Sequence, residues 1–181
     1  MALSQHKFRE IVFQLLYSQD IGHPDEALMT ELMMGELAVS KKNVRSAQDR
    51  VRQIQGHLAE IDRLISSVSA SYDFERIQTV TKNILRVAVF ELLYDNQIPP
   101  KVAIAEAIRL SRKFNTPESA SFVNALLDNL YQKSLGIEAD KQHLDQSSQE
   151  FLESEKLASE AAKEIASNEE KSKMEFTDDN L

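Results

Sequence analysis

Nine apolar residues between Val44 and Tyr72 recur at alternating steps of three and four: Val44, Ala47, Val51, Ile54, Leu58, Ile61, Ile65, Val68 and Tyr72. No strand can use this spacing, because side chains on a strand alternate with a period of two. It predicts one long helix with a narrow apolar seam, of the kind that packs against another helix. The partner helices can come from the same chain or from a second copy. Gly56 inside the run weakens the helix by about 1 kcal/mol relative to alanine.

The remainder supports an all-α chain. The sequence holds only four Gly and four Pro among 181 residues, too few turn residues for a sheet-rich fold. Phe8, Ile11, Val12, Leu15 and Leu16 predict a helix over residues 4–20, stopped by Gly22, His23 and Pro24. Ala27, Leu28, Leu32, Met33 and Leu37 mark the apolar side of a second helix from Asp25 to Val39. A short helix is expected near Asp73, then a long one over Thr79–Asp95 with Ile84, Leu85, Ala88, Val89, Leu92 and Leu93 on one side. Pro99 and Pro100 place a loop at 96–100. A helix over Lys101–Phe114 buries Ile104, Ala107, Ile108 and Leu110 or Ser111.

Thr116 reads as an N-cap, Pro117 as the first helical residue and Glu118 as a carboxylate at the positive end of the helix dipole. That last helix carries Phe122, Val123, Leu126, Leu127, Leu130 and Tyr131, and Gly136 suits its C-terminal cap.

The net charge of −8 is confined to one end. Residues 1–137 hold 16 acidic and 16 basic side chains, whereas residues 138–181 hold 13 acidic and 5 basic, and 5 − 13 = −8. The expected organisation is a neutral helical domain, 1–137, followed by an acidic tail, 138–181. The tail is expected to be mostly disordered or weakly helical. Phe151, Leu157, Ala161 and Ile165 offer too little apolar surface to offset chain ordering.

Chemistry-bearing motifs are scarce. The chain has no Cys, so disulfides and thiolate metal sites are excluded. His6, His23, His57 and His143 form no metal-binding pair at helical spacing. There is no nucleophile elbow and no glycine-rich phosphate loop. Acidic neighbours such as Glu60 and Asp62 suit a solvated helix face better than acid–base work. The expectation is a binding protein rather than an enzyme, with no cofactor. With no apolar leader core and no run of ~20 apolar residues, a cytoplasmic location is expected.

What remains can bind. His6, Lys7 and Arg9 bring basic groups to the first helix, and Arg9, Phe13 and Tyr17 are spaced by four along one side. Basic groups contact phosphates and aromatics stack on unpaired bases, as single-stranded RNA requires. A surface Arg above two core aromatics fits the same spacing. Lys41, Lys42, Arg45, Arg50 and Arg52 form a second basic stretch, either a solvated face or an RNA surface. Lys101, Arg109, Arg112 and Lys113 add further cations before Glu118.

Three blocks then carry a resemblance: REIVFQLLYSQD at Arg9–Asp20, ILRVAVFELLY at Ile84–Tyr94, and IPPKVAIAEAIRLSRKFNTPESASFVNALLDNL at Ile98–Leu130. Together they resemble the NusB family of bacterial transcription antitermination factors, over essentially residues 4–135. The resemblance implies an all-α fold of two three-helix lobes. It implies binding of single-stranded boxA RNA from ribosomal RNA operons together with NusE, a small-subunit ribosomal protein. NusA, NusG and RNA polymerase would complete the larger complex, which reads through terminators. Carried over by position, the RNA-binding residues are Gln5, His6, Lys7, Arg9 and Tyr17, and the partner-binding residues are Glu118 and Phe122. The chain departs from the family in its arm, where only Lys7 and Arg9 are firmly charged, and at Ala105, Ala125 and Thr81. The thinned arm motivates an alternative: a protein-only adaptor that binds NusE with a decayed RNA site. A helical domain of a ribosomal RNA cytosine methyltransferase also resembles this family, but that enzyme needs a nucleophilic Cys.

Overall fold

A computed structural model describes residues 3–22, 25–69, 72–137 and 141–178. Among these residues there are eight α-helices, one 3-10 turn and no strand. The helices are α1 (Gln5–Gly22), α2 (Glu26–Leu37), α3 (Lys41–Gly56), α4 (Leu58–Val68), α5 (Thr79–Tyr94), α6 (Pro100–Phe114), α7 (Pro117–Ser134) and α8 (Lys141–Asp178). The 3-10 turn, Phe74–Arg76, lies where the short helix near Asp73 was expected. Gly22 ends α1 as expected; His23 and Pro24 lie outside the described residues.

Helices α1, α2 and α3 form one lobe and α5, α6 and α7 the other, with α4 packed on α5 and α7. Helix α5 is the shared centre. Ile84, Leu85, Val87, Ala88, Val89 and Phe90 are all buried, so this helix is apolar around most of its circumference. Leu92 and Leu93, placed on its inner side from spacing, are only partly buried.

The seam that predicted one long helix is broken once. His57 leaves helical geometry at φ −113 and ψ 6, and separates α3 from α4. Gly56 supplies the weak point. The His57 ring then lies 4.4 Å from that of Tyr94 and 5.7 Å from that of Phe90. The apolar spacing survives the break: Val44, Ala47, Val51, Ile54, Ile61, Ile65 and Tyr72 are all buried within their own chain.

Helix α2 differs in its face. Leu28 and Leu32, expected inside, are 63% and 50% exposed, whereas Thr30 and Met33 are buried. Glu26, Glu31 and Glu36 are spread around the helix and leave no single polar side, so spacing could not choose its inner side. The Thr30 hydroxyl settles the matter by donating to the Glu26 carbonyl at 2.8 Å and accepting from Gln48 Nε2 at 3.0 Å.

The start and end of α7 follow the expected capping chemistry. Thr116 Oγ1 accepts the Ser119 N–H at 3.2 Å, with Pro117 in the first turn. At the other end Gly136 takes φ +73, a left-handed conformation that favours glycine. It lets the Gly136 and Ile137 N–H groups donate to the Lys133 and Gln132 carbonyls at 3.1 and 3.0 Å.

The segment expected to be mostly disordered or weakly helical begins with a helix docked on the domain. Leu144, Ser147, Ser148 and Phe151 of α8 are buried against α7 and the Tyr72 region. Phe151 stacks on Phe122 at 5.0 Å and lies 5.8 Å from Tyr72. The other apolar residues of the expected face, Leu157 and Ile165, are 68% and 61% exposed.

Candidate nucleic-acid interface

The N-terminal half of α1 meets α6 through ions. Glu10 on α1 accepts from Arg109 Nη1 at 2.6 Å and from Lys113 Nζ at 2.8 Å, with Lys7 Nζ at 4.0 Å. Glu106 on α6 accepts from His6 Nδ1 at 2.6 Å and Arg109 Nε at 3.2 Å. Arg109 Nη2 also donates to the His6 carbonyl at 3.1 Å. The spacing of Arg109 and Lys113 by four places both on the side of α6 that faces Glu10.

The charges are layered. The Glu10, Glu91 and Glu106 side chains are only 7–8% exposed, whereas those of Lys113, Lys7 and Arg109 are 50%, 33% and 31% exposed. Counting these groups with Arg9 gives four fixed cations over three carboxylates, a surplus of 4 − 3 = 1. Burial pushes the Glu10 carboxyl up, but hydrogen bonds from Lys113 and Arg109 reverse this and hold its pKa below the ordinary value. Burial likewise raises Glu106, and contacts with His6 and Arg109 bring it below the ordinary value. Both carboxylates are therefore ionised at neutral pH and fix the cations above them. The outward-facing rim is positive and preorganised, which suits phosphate contacts.

The residues expected to bind RNA separate into two groups. Gln5 and His6 are exposed at the start of α1 and Lys7 stands on the rim. Arg9 does not reach solvent. Its Nε lies 2.8 and 2.9 Å from the two oxygens of Glu91, and the residue is 4% exposed. It holds α1 to α5 and offers no phosphate contact in this conformation. Tyr17 is half-buried farther along α1, stacked on Phe13 at 6.0 Å, and Phe13 in turn meets Phe114 at 4.9 Å.

Glu118 is half-exposed in the first turn of α7, and among the described residues it makes no ion pair. Phe122, expected at a partner contact, is wholly buried at 0% exposure between Phe151 and Tyr72. It is a core residue here, because α8 lies over it.

Spacing alone left Arg109 and Lys113 among several cations. Only the packing of α6 against α1 shows that they complete the rim. The stretch from Lys41 to Arg52 is divided. Arg50 pairs with Asp95 at 2.6 Å, and Arg52 pairs with Glu26 and Asp49 at 2.6 and 2.7 Å. Lys41, Lys42 and Arg45 remain exposed. Among the described residues no group of three or more His, Asp or Glu could hold a metal ion, and no helix is long and apolar enough to cross a membrane.

The chain's relatives agree with this architecture. The "Transcription antitermination protein NusB" of Chlamydia pneumoniae is 35% identical over 130 residues, covering 72% of this chain and 81% of the relative. The protein of the same name from Geobacter sulfurreducens is 38% identical over 123 residues, covering 67% and 89%. Among solved structures, NusB of T. maritima superposes with a TM-score of 0.64 at 30% identity, covering 80% of this chain and 99% of that one. A structure of "Antitermination Factors NusB and NusE in complex with dsRNA" shares the fold at a TM-score of 0.61 and 22% identity, covering 72% of this chain and 99% of that one. The model of the NusB family matches residues 6–132, so the chain belongs to the NusB family.

Proposed function

We propose that the chain is a transcription antitermination factor that binds boxA RNA together with NusE and promotes read-through by RNA polymerase. The observation that carries this is the positive rim of Lys7, Arg109 and Lys113, held over ionised Glu10 and Glu106 at the start of α1. In this proposal Gln5 and His6 join the rim in contacting RNA, and Tyr17 stacks on a base. Glu118 faces the protein partner, and NusA and NusG act in the larger complex. Residues 1–137 form the RNA- and protein-binding unit, 138–181 are an appended acidic segment, and the protein works in the cytoplasm. The relatives named "Transcription antitermination protein NusB" support this reading, as does the fold shared with NusB in its complex with NusE and dsRNA.

A protein-only adaptor is the competing reading, and it rests on the thin basic arm. Arg109 and Lys113 return two cations to the same face, which favours the RNA-binding reading. The test is equilibrium binding of boxA RNA and a scrambled RNA, each with and without NusE. The expected result is tighter binding of boxA, strengthened by NusE. Equal binding of the two RNAs by the pair overturns the specific function. Lys113→Glu together with Lys7→Glu separates the two readings. An RNA binder loses affinity, and its salt slope flattens by about 0.7 for each phosphate contact removed. An adaptor keeps its NusE affinity and shows no RNA effect.

A further inference from the structure

We infer that the groove between the start of α1 and the α5–α6 loop is a pocket for one unstacked nucleobase bearing an exocyclic amino group. The inference rests on the RNA-binding reading above and adds a base-reading site to it. The groove has a volume of about 420 Å³, within the range of small-ligand sites.

One wall is apolar and partly open to solvent. Ile98, Pro99 and Val102 line it, and Val102 is 41% exposed despite being a branched aliphatic residue. Such a wall suits the flat face of a base. Arg50 lines the groove as well. Its guanidinium is pinned by Asp95 at 2.6 Å and lies 5.3 Å from the centre of the Phe90 ring. A guanidinium fixed in this way is a planar cation on which a base can stack.

The polar lining decides which base. Asp95 and Glu106 both border the groove, and both carry a pKa below the ordinary carboxylate value. In each case burial raises the pKa, and hydrogen bonds, from Arg50 to Asp95 and from His6 and Arg109 to Glu106, more than reverse it. They are therefore hydrogen-bond acceptors throughout the neutral range. Adenine, cytosine and guanine present an amino group to such acceptors. Uracil presents carbonyl oxygens on both sides of its single ring N–H, and these face the carboxylates unfavourably. Gln5 and Gln97 are exposed at the mouth and can donate or accept.

The loop is held in shape. Asp95 Oδ1 accepts the Gln97 N–H at 3.1 Å, and the Ile98 N–H donates to the Asp95 carbonyl at 3.1 Å. His6 lines the groove and also pairs with Glu106 beneath the rim, so a strand whose phosphates lie on the rim can turn a base into the groove.

The experiment uses the full chain with NusE and a set of boxA RNAs, each with one position replaced by uracil. The unmodified chain is expected to lose about tenfold in affinity for uracil at one position. Val102→Trp, which fills the groove from its exposed edge, should abolish that preference and lower boxA affinity by about tenfold. The salt slope should stay unchanged, because phosphate contacts are untouched. Gln97→Ala should lessen the preference at the same position. Tight boxA binding by Val102→Trp with an unaltered base profile overturns the pocket while leaving the RNA-binding function intact. So does a loss spread evenly over all positions. If the unmodified pair does not prefer boxA to scrambled RNA, the function itself fails, and the pocket with it.

Discussion

Arg86 grips Asp62 with two prongs: Nε and Nη2 each donate to one carboxylate oxygen at 2.8 Å. The third nitrogen, Nη1, donates to Asp20 at 2.6 Å. One side chain on α5 thus ties α4 to the end of α1. The guanidinium is only 8% exposed, whereas Asp20 and Asp62 are 33% and 23% exposed. Removing the cation leaves two carboxylates that water can still partly reach. Arg86→Ala is therefore expected to cost near the low end of the ~3–5 kcal/mol for a broken buried pair. Arg86→Lys should cost less, since it keeps the charge but loses the fork. Urea denaturation checks both through a lower midpoint at constant slope. A midpoint for Arg86→Ala equal to that of the unmodified chain would show that the triad contributes nothing.

Gly56 closes α3, and a Cβ built there would meet nothing within 4 Å. Its backbone is not in the left-handed region. Gly56→Ala should accordingly stabilise the chain, by up to about 1 kcal/mol, through helix propensity and a less flexible unfolded chain. The break at His57 should persist, because the rings of Tyr94 and Phe90 hold it. Thermal unfolding tests the first point. An unchanged His57 ring environment by NMR tests the second, and fusion of α3 with α4 would contradict it.

Much of this was legible in the order of apolar residues, and the exceptions share a cause. The seam from Val44 to Tyr72 named its buried side correctly, even though the helix breaks within it. The Thr116–Pro117–Glu118 cap was local chemistry and stood where it was read. Spacing says which positions want burial but not what will cover them. Leu28 and Leu32 looked internal because α2 has no clear polar side. The docking of α8 was invisible because its buried face uses serine. Ser148 Oγ donates to the Leu144 carbonyl at 2.7 Å, so it is buried without cost to an outside partner. The site shows the same limit. Lys7 was a candidate from its place in the chain, but the pairing of Arg9 with Glu91, and of Lys113 with Glu10, became visible only once three helices were packed.

Phe151 is the main apolar anchor of α8, 1% exposed and stacked on Phe122. Truncating a buried Phe ordinarily costs ~3–5 kcal/mol. Here the loss cannot exceed the free energy that docks α8, because an undocked helix no longer depends on Phe151. Phe151→Ala should therefore remove amide-exchange protection from α8 while α1 to α7 keep most of theirs. It should also leave Phe122 accessible. Equal loss of protection over the whole chain would mean that α8 and the remaining helices fold as one unit.

Tyr72 and Glu155 give the docking of α8 a pH dependence. The Tyr72 hydroxyl donates to Glu155 Oε2 at 2.7 Å, while Oε1 is buried with no hydrogen-bond partner among the described residues. Burial raises the Glu155 pKa above 4.5, and the contacts with Tyr72 and Arg76 only partly oppose it. A carboxyl that binds its proton more tightly when docked favours docking in the protonated form. This contribution is fully present below the ordinary value of 4.5 and is lost as pH rises through the raised one. Protection factors in the first turns of α8 should thus fall from about pH 4.5 toward neutrality, after correction for intrinsic exchange. Glu155→Gln keeps an oxygen for Tyr72 and removes the charge. It should raise protection at neutral pH and flatten the profile. Protection that instead grows with pH in the unmodified chain would mean that the ionised carboxylate, held by Arg76, is the form that docks.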